Sequence, residues 1–210
     1  HPRCQNYCLH IYLLYPFHDL LLNQITKIPK KSFISSGEKE YVLQVSKSLY
    51  IWGYMRLHLF EFEDLEWFPD VIRKGQTDYL HFMINKFNIY KPAAGAVKEL
   101  MDNSGCYNIL DLCSGGGGGM DLLQSELENI TGKDIHITLS DKFPNVEAFS
   151  NIKQSSGGKL DYISSPVDAQ SFEIQQGSII TIFSAFHHFN PGDAKKIIQQ
   201  AVNNNMPIAI

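Results

Sequence analysis

Short apolar runs alternate with amphipathic segments through the second half of the chain. The predicted strands are residues 107–112, 135–139, 160–163, 178–183 and 206–210, and the predicted helices among them are 118–130, 145–154 and 191–202. Short runs of branched apolar residues are typical of buried strands, whereas apolar residues three and four apart are typical of helices. Strands that alternate with helices form parallel sheets with right-handed crossovers. The pattern therefore predicts a doubly wound, mainly parallel α/β domain over residues 92–210.

A different, aromatic-rich pattern covers residues 1–91. Leu9–Leu22 is apolar enough to predict a short helix, and apolar residues alternate with Arg56 and His58 across 55–59, which predicts an extended segment there. Residues 27–37 are predicted to form a loop, and residues 40–105 are predicted to be mostly helical. We therefore expect residues 1–91 to form a helical appendage that acts as a lid on the α/β domain.

Helix signals are concentrated between residues 69 and 105 of this sequence. Pro69 suits the first position of a helix, Gly75 is expected to interrupt it, and Thr77 is expected to cap a second helix. The inward face of that second helix is predicted to hold Leu80, Ile84 and Phe87. Pro92 then begins a further helix that is predicted to end near Gly105.

Composition excludes several classes of partner. The chain has 210 residues, 44% of them hydrophobic, and a net charge of −4, which suits one core domain with an appendage and gives no basic face for a nucleic acid. Its four cysteines have no disulfide pattern, so we expect a reducing, cytoplasmic setting. Leu9–Leu22 is too short and too polar to span a membrane. Cys4, Cys8 and His10 lack a fourth ligand at a familiar spacing, so no metal site is expected.

The stretch from Ile109 to Met120, ILDLCSGGGGGM, is the most informative one in the chain. It predicts a strand, a glycine-rich turn and the start of a helix, an arrangement that brings backbone N–H groups up to a ligand. Five consecutive glycines lose much conformational entropy when they become ordered. We therefore expect something to approach this backbone closely.

Polar residues follow each predicted strand of the domain. Asp111, Asp141, Asp168 and Ser184 are expected to converge, because ligands of open parallel sheets bind at the carboxyl ends of the strands. Asp141 lies about 24 residues past the loop, where a carboxylate can accept both hydroxyl groups of a ribose. Asp111 would repel a pyrophosphate and attract an ammonium or a sulfonium. The G-x-G-x-x-G fingerprint of dinucleotide sites also fails at every register of the run.

These motifs together resemble those of class I S-adenosylmethionine-dependent methyltransferases. ILDLCSGGG resembles motif I of that family, LSD at 139–141 and VDA at 167–169 resemble the acidic ends of its second and third strands, and FSAFHHF at 183–189 resembles the end of its fourth. The acidic–aromatic lead-in resembles uncharacterised bacterial members. The resemblance implies a Rossmann-like sheet of seven strands, so a chain that stops within the fifth is expected to be C-terminally incomplete and to leave that strand as a bare edge.

The resemblance also implies roles for individual residues. Asp111 would lie near the amino group of S-adenosylmethionine, Asp141 would hold its ribose, and Lys142 would flank its adenine. The other implied cofactor-binding residues are Cys113, Ser114, Gly115, Gly116 and Gly117 along the loop, Asp168 and Ala169 at the adenine edge, and Ser184 under the sulfonium. Cys113 departs from the family, which has a glycine at that position.

Several of these residues also have ordinary structural interpretations. Asp111 and Asp168 are also consistent with turn or cap residues, and Asp141 with a cap for the following helix. Cys113 suits a small packing residue better than a nucleophile. His187 and His188 are candidates for a catalytic base, although such residues also shape pockets.

The sequence predicts an S-adenosylmethionine-dependent methyltransferase that acts on a small-molecule acceptor and releases S-adenosylhomocysteine. A nicotinamide-dependent oxidoreductase and a non-catalytic adenosyl-ligand-binding or scaffold protein are the alternatives. The oxidoreductase is disfavoured by Asp111 and by the failed fingerprint.

Overall fold

The computed structural model describes the backbone of residues 11–12 and the full residues 62, 65–173 and 175–210. The predicted loop at 27–37, the predicted extended segment at 55–59, the cysteines and histidine near the N-terminus, and most of the predicted helix at Leu9–Leu22 lie outside these residues. Within them, no helix is both long and apolar enough to cross a membrane.

Among the described residues, six short strands form a single sheet, and helices connect most of them. The strands are β1 Ile11–Tyr12, β2 Asn108–Asp111, β3 His136–Leu139, β4 Leu160–Tyr162, β5 Ser178–Thr181 and β6 Ile208–Ala209. The α-helices are α1 Asp70–Phe87, α2 Ala94–Ser104, α3 Met120–Thr131, α4 Val146–Ser155 and α5 Pro191–Asn203, with 3₁₀ turns at Lys91–Ala93 and Phe186–His188. The predicted α/β class is therefore confirmed.

The strand order is β1-β6-β5-β2-β3-β4, and every pairing is parallel. From β2 the chain moves outward to β3 and β4, and it then returns to the other side of β2 for β5 and β6. Strand order reverses between β2 and β5. In doubly wound sheets this switch point opens a crevice at the carboxyl ends of the strands.

Two apolar clusters hold the layers together. One joins α2, α3 and α4 to the sheet through residues such as Val97, Leu123 and Phe149, each at most 1% exposed. The other joins α5 to the sheet through Ile197 and Ala201, both fully buried. Helices on both sides therefore give the parallel sheet the cover that its continuous apolar strands require.

Local signals explain where the helices begin and end. The side chain of Asn145 caps α4 by accepting from the N–H of Ala148, and Asn190 caps α5 ahead of Pro191. Gly105 ends α2 in the left-handed conformation, φ 69°, as expected of a glycine there.

The prediction for α1 was wrong in three respects. Gly75 lies inside one continuous helix, because a single glycine costs only about 1 kcal/mol there and packing overrides that cost. Thr77 is not a cap, since its hydroxyl donates to the carbonyl of Lys74 within the helix. Leu80 and Phe87 were predicted to face inward, yet their side chains are 54% and 61% exposed.

The expectations for the sheet edge and for Leu9–Leu22 also need correction. Ile11–Tyr12 is a strand, and it pairs in parallel with Ile208–Ala209. A strand edge presents unpaired N–H and C=O groups that another strand can satisfy. β6 is therefore not the bare edge that was expected.

Candidate ligand site at the carboxyl edge of the sheet

Asp111, the last residue of β2, is an almost fully buried acid at the switch point. One carboxyl oxygen accepts from the hydroxyl of Thr181 on β5 at 2.5 Å, and the other accepts from the hydroxyl of Ser114 at 2.6 Å. Burial raises the pKa of the Asp111 carboxyl to about 7, and the charge of Asp141 adds to this rise, while the two hydroxyl donors oppose it. Asp111 is therefore poised to change charge near neutral pH.

Asp141 ties the end of β3 to the glycine loop. Its Oδ2 accepts from the N–H of Gly115 at 2.7 Å, and its Oδ1 accepts from the N–H of Phe143 at 2.8 Å. The backbones that follow β2 and β3 remain paired just past the strands. The backbone N–H of Ser140 donates to the carbonyl of Asp111, and the backbone N–H of Ser114 donates to the carbonyl of Ser140. Asp111 and Asp141 thus meet at this edge. Because Asn145 caps α4, the interpretation of Asp141 as that helix's cap is wrong.

The third predicted carboxylate is placed differently. Asp168 is exposed, and its Oδ1 accepts from the N–H of Gln170 at 2.8 Å, which is the local bond of an ordinary turn acid. Its neighbour Val167 donates to the carbonyl of Asp141, so the turn lies beside β3. Ala169 is only 3% exposed and packs in the core. The adenine-edge roles implied for these residues stay predictions.

Cys113 and Ser184 share an unusual backbone conformation. Each has φ near 59°, in the left-handed region that favours glycine. Cys113 follows β2 and Ser184 follows β5, so the two lie on the two strands that flank the switch point. Side chains in this region carry backbone strain, which clusters at functional sites. The family's glycine at the position of Cys113 was the one sequence signal of this feature.

The glycine run is approached closely, but by the protein itself. A Cβ on Gly116 would lie 3.0 Å from the carbonyl oxygen of Thr77, and one on Gly118 would lie 2.6 Å from the Cα of His81. One on Gly119 would lie 2.5 Å from a methyl group of Ile84. Helix α1 therefore explains glycine at these positions, and the close approach that the run predicted is made by this helix.

His81 is a residue at this edge that the sequence analysis missed. Its Nδ1 lies 3.0 Å from the carbonyl oxygen of Gly116, and its Nε2 lies 2.9 Å from the amide nitrogen of Asn85. A lone histidine among exposed apolar residues of a helix gives no sequence signal for such a contact.

Arg73 fixes the first turn of α1 against the segments that contain Leu65 and Phe143. It is 7% exposed, it donates to the carbonyl of Leu65 at 2.8 Å, and its guanidinium lies 4.0 Å from the ring centre of Phe143. Phe143 directly follows Asp141 and Lys142. Lys142 is exposed, with its ammonium 5.4 Å from the same ring. The helix therefore crosses from the end of β3 to the glycine loop.

His187 and His188 lie in the 3₁₀ turn that follows β5. Both are half-buried, and their ring centres are 4.3 Å apart. The turn places them on the same strand end as Ser184. Their role as a catalytic base stays a prediction. Among the described residues no group of three or more histidine, cysteine, aspartate or glutamate side chains could hold a metal ion.

Comparisons with known proteins give structural likeness at low identity. No family model and no curated protein matches the chain. An O-methyltransferase family protein from Burkholderia thailandensis is similar at 17% identity and a TM-score of 0.44, with 60% of this chain and 37% of that chain covered. Mitomycin 7-O-methyltransferase MmcR is similar at 15% identity and a TM-score of 0.41, with 68% and 48% covered. The chain thus matches less than half the length of either protein.

Proposed function

We propose that this protein binds S-adenosylmethionine at the carboxyl edge of its sheet and transfers the methyl group to a small-molecule acceptor in the cytoplasm. The observation that carries the proposal is the meeting of Asp111 and Asp141 beside the glycine loop at the switch point. Two carboxylates there suit a ligand that combines a cationic amino acid with a ribose. The motif resemblance supports the same assignment.

Asp141 has the capacity that a ribose requires. An ionised carboxylate offers about four acceptor positions, and the N–H groups of Gly115 and Phe143 occupy one on each oxygen. The side chain is half-buried, so it is reachable from solvent. Two vicinal hydroxyl groups match the positions that remain.

Asp111 supplies the complementary charge for a cationic group. Its two hydroxyl donors orient the carboxyl, and its burial makes an uncompensated negative charge costly. A ligand ammonium brought up to it would offset that cost and favour the ionised form. The Asp111 carboxylate would repel a pyrophosphate, which argues against a nicotinamide dinucleotide as the ligand.

The bound cofactor would supply a methyl group activated on a sulfonium. The protein's task is then to orient the acceptor and exclude water, with a base required only where the acceptor must lose a proton. His187 and His188 follow β5 on the far side of the crevice from the carboxylates. One of them would accept that proton.

Calorimetric titration with S-adenosylhomocysteine tests the proposal. We expect binding by the wild-type chain, weaker binding by Asp141→Ala, and unchanged binding by the control Asp134→Ala. Asp134 lies just before β3, at the opposite end of that strand, and its side chain is 87% exposed. Tight NADH binding without any S-adenosylhomocysteine binding would overturn the proposal in favour of an oxidoreductase.

The second candidate is a non-catalytic adenosyl-ligand-binding or scaffold protein, and one observation favours the scaffold. Helix α1 accounts for the glycines at positions 116, 118 and 119 without any ligand. Incubation with methyl-labelled S-adenosylmethionine and a panel of small hydroxyl and amine acceptors separates the two. Label transfer that falls in a His187→Ala, His188→Ala double variant supports the enzyme, whereas binding without transfer supports the alternative.

A further inference from the structure

We propose that His81 is a positioning residue for the glycine loop, and that helix α1 is a fixed wall of the ligand site instead of a separate lid. The inference rests on the proposed function for the identity of the ligand. The inference goes beyond the proposed function because it attributes the shape of the loop to a residue of the N-terminal appendage.

The first argument is the spacing of the contacts. Thr77, His81 and Ile84 recur at helical intervals along α1, and they face Gly116, Gly118 and Gly119 in that order. Each would meet an added Cβ at 3.0 Å or less. Successive turns of a helix thus match successive residues of the loop, which requires a defined register between them.

The second argument is the direction of the hydrogen bonds. A carbonyl only accepts, so the bond to Gly116 places the proton of the imidazole on Nδ1. Nε2 must then accept, and the amide of Asn85 donates to it at 2.9 Å. The other N–H of that amide points to Oδ2 of Asp121, 3.5 Å away, in the first turn of α3. The network therefore assigns one tautomer and one ring orientation to His81.

The third argument is where this bond acts on the loop. The neighbour Gly115 donates to Asp141, and Gly117 donates to the carbonyl of Ser114. The carbonyl of Gly116 lies between these two bonds, and His81 is its partner. Removing that partner frees the middle of the loop while both ends stay attached. The Gly115 N–H that bonds to Asp141 then belongs to a less ordered loop, which makes the orientation of Asp141 less well defined.

Two variants of His81 separate a hydrogen-bonding role from a packing role. His81→Phe keeps a ring of similar size and removes both nitrogens. His81→Asn carries an amide nitrogen at the position of Nδ1 and can still donate to the carbonyl of Gly116. The matched control is His136→Phe, since His136 is exposed at the start of β3, far from the loop.

The measurements are hydrogen–deuterium exchange of residues 112–119 and titration with S-adenosylhomocysteine. We expect His81→Phe to exchange faster in this segment and to bind about tenfold more weakly, the effect of one lost hydrogen bond. His81→Asn should behave like the wild type in both, as should the control. Unchanged exchange in His81→Phe would overturn the positioning role.

The exchange measurement needs no ligand, so it distinguishes the two proposals. If the wild-type chain binds no S-adenosylhomocysteine while His81→Phe exchanges faster, the proposed function fails and His81 still positions the loop. If His81→Phe exchanges faster yet binds as tightly as the wild type, α1 is not a wall of the ligand site.

A substitution in the glycine loop tests the same contact between α1 and the loop. Gly118→Ala places a methyl group 2.6 Å from the backbone of α1, so the helix must shift. We expect faster exchange across residues 70–87 in this variant. Gly95→Ala in α2 is the control, because no atom lies within 4 Å of its added Cβ and it lies outside the measured segment. Equal exchange in the two alanine variants would contradict the contact on which the inference depends.

Discussion

Replacing Asp111 with asparagine should change how the stability of the fold depends on pH. The pKa of this carboxyl is raised from 3.8 to about 7 in the folded protein, chiefly by burial. The folded state therefore holds the proton more tightly than the unfolded chain does. Stability is greatest at low pH for this group, falls as the pH rises from about 4 towards 7, and levels off above 7.

The size of the effect follows from the shift. One pKa unit corresponds to about 1.4 kcal/mol, so a shift of about three units is worth about 4 kcal/mol. The amide of the Asp111→Asn variant carries no titrating proton, its oxygen accepts from Thr181 or Ser114, and the remaining hydroxyl can rotate to accept from its N–H. The variant should gain up to about 4 kcal/mol of stability over the wild type between pH 4 and pH 8.

Urea denaturation followed by circular dichroism at each pH gives the free energies of unfolding. Other titrating groups cancel in the difference between the two proteins. Asp161→Asn is a control with the opposite sign, because the hydrogen bond from Lys153 lowers the pKa of Asp161. The loss of stability of this control relative to the wild type should therefore develop as the pH rises towards 4 and stay constant at higher pH. Parallel curves for wild type and Asp111→Asn would refute a buried, protonated acid at the switch point.

Three further predictions concern the same edge of the domain. If the ligand brings an ammonium to Asp111, S-adenosylhomocysteine binding at pH 7 should release about half a proton, seen as a binding enthalpy that varies with the ionisation enthalpy of the buffer. Cys113→Gly relieves the left-handed strain and should match or exceed the wild type in melting temperature, whereas Cys113→Val should cost about 1–2 kcal/mol. Arg73→Leu removes the bond to the carbonyl of Leu65 and the contact with Phe143, so it should lower the free energy of unfolding by about 1–3 kcal/mol in urea denaturation.

The sheet was predictable because its strands carry one dominant signal. Residues 109–112 and 178–183 are nearly continuous apolar runs, as strands covered on both faces must be. Asn145 and Asn190 mark the helix starts with side chains that cap them. These are short-range effects, and they are visible in the chain without knowledge of what packs where.

The buried face of α1 was not predictable by the same reasoning. Apolar spacing assumes that a helix packs through its large side chains, which selected Leu80 and Phe87. Here the helix meets a run of glycines, and its backbone approaches theirs directly. Against such a surface the small Thr77 and the hydrogen-bonding His81 pack best together with Ile84, and Leu80 and Phe87 are left exposed. The buried face was determined by the partner, which lies more than 30 residues away in the chain.

This contact changes which residues bear on ligand binding. A glycine run that accommodates a helix does not by itself require a ligand, so the loop is weaker evidence for a cofactor than its composition indicated. The carboxylates are stronger evidence, because neither has a basic partner among the described residues within 4 Å and one of them is buried. A buried acid held only by hydroxyl groups is costly to keep ionised. A cationic ligand removes that cost, and this makes Asp111, more than the glycines, the residue on which the proposed function depends.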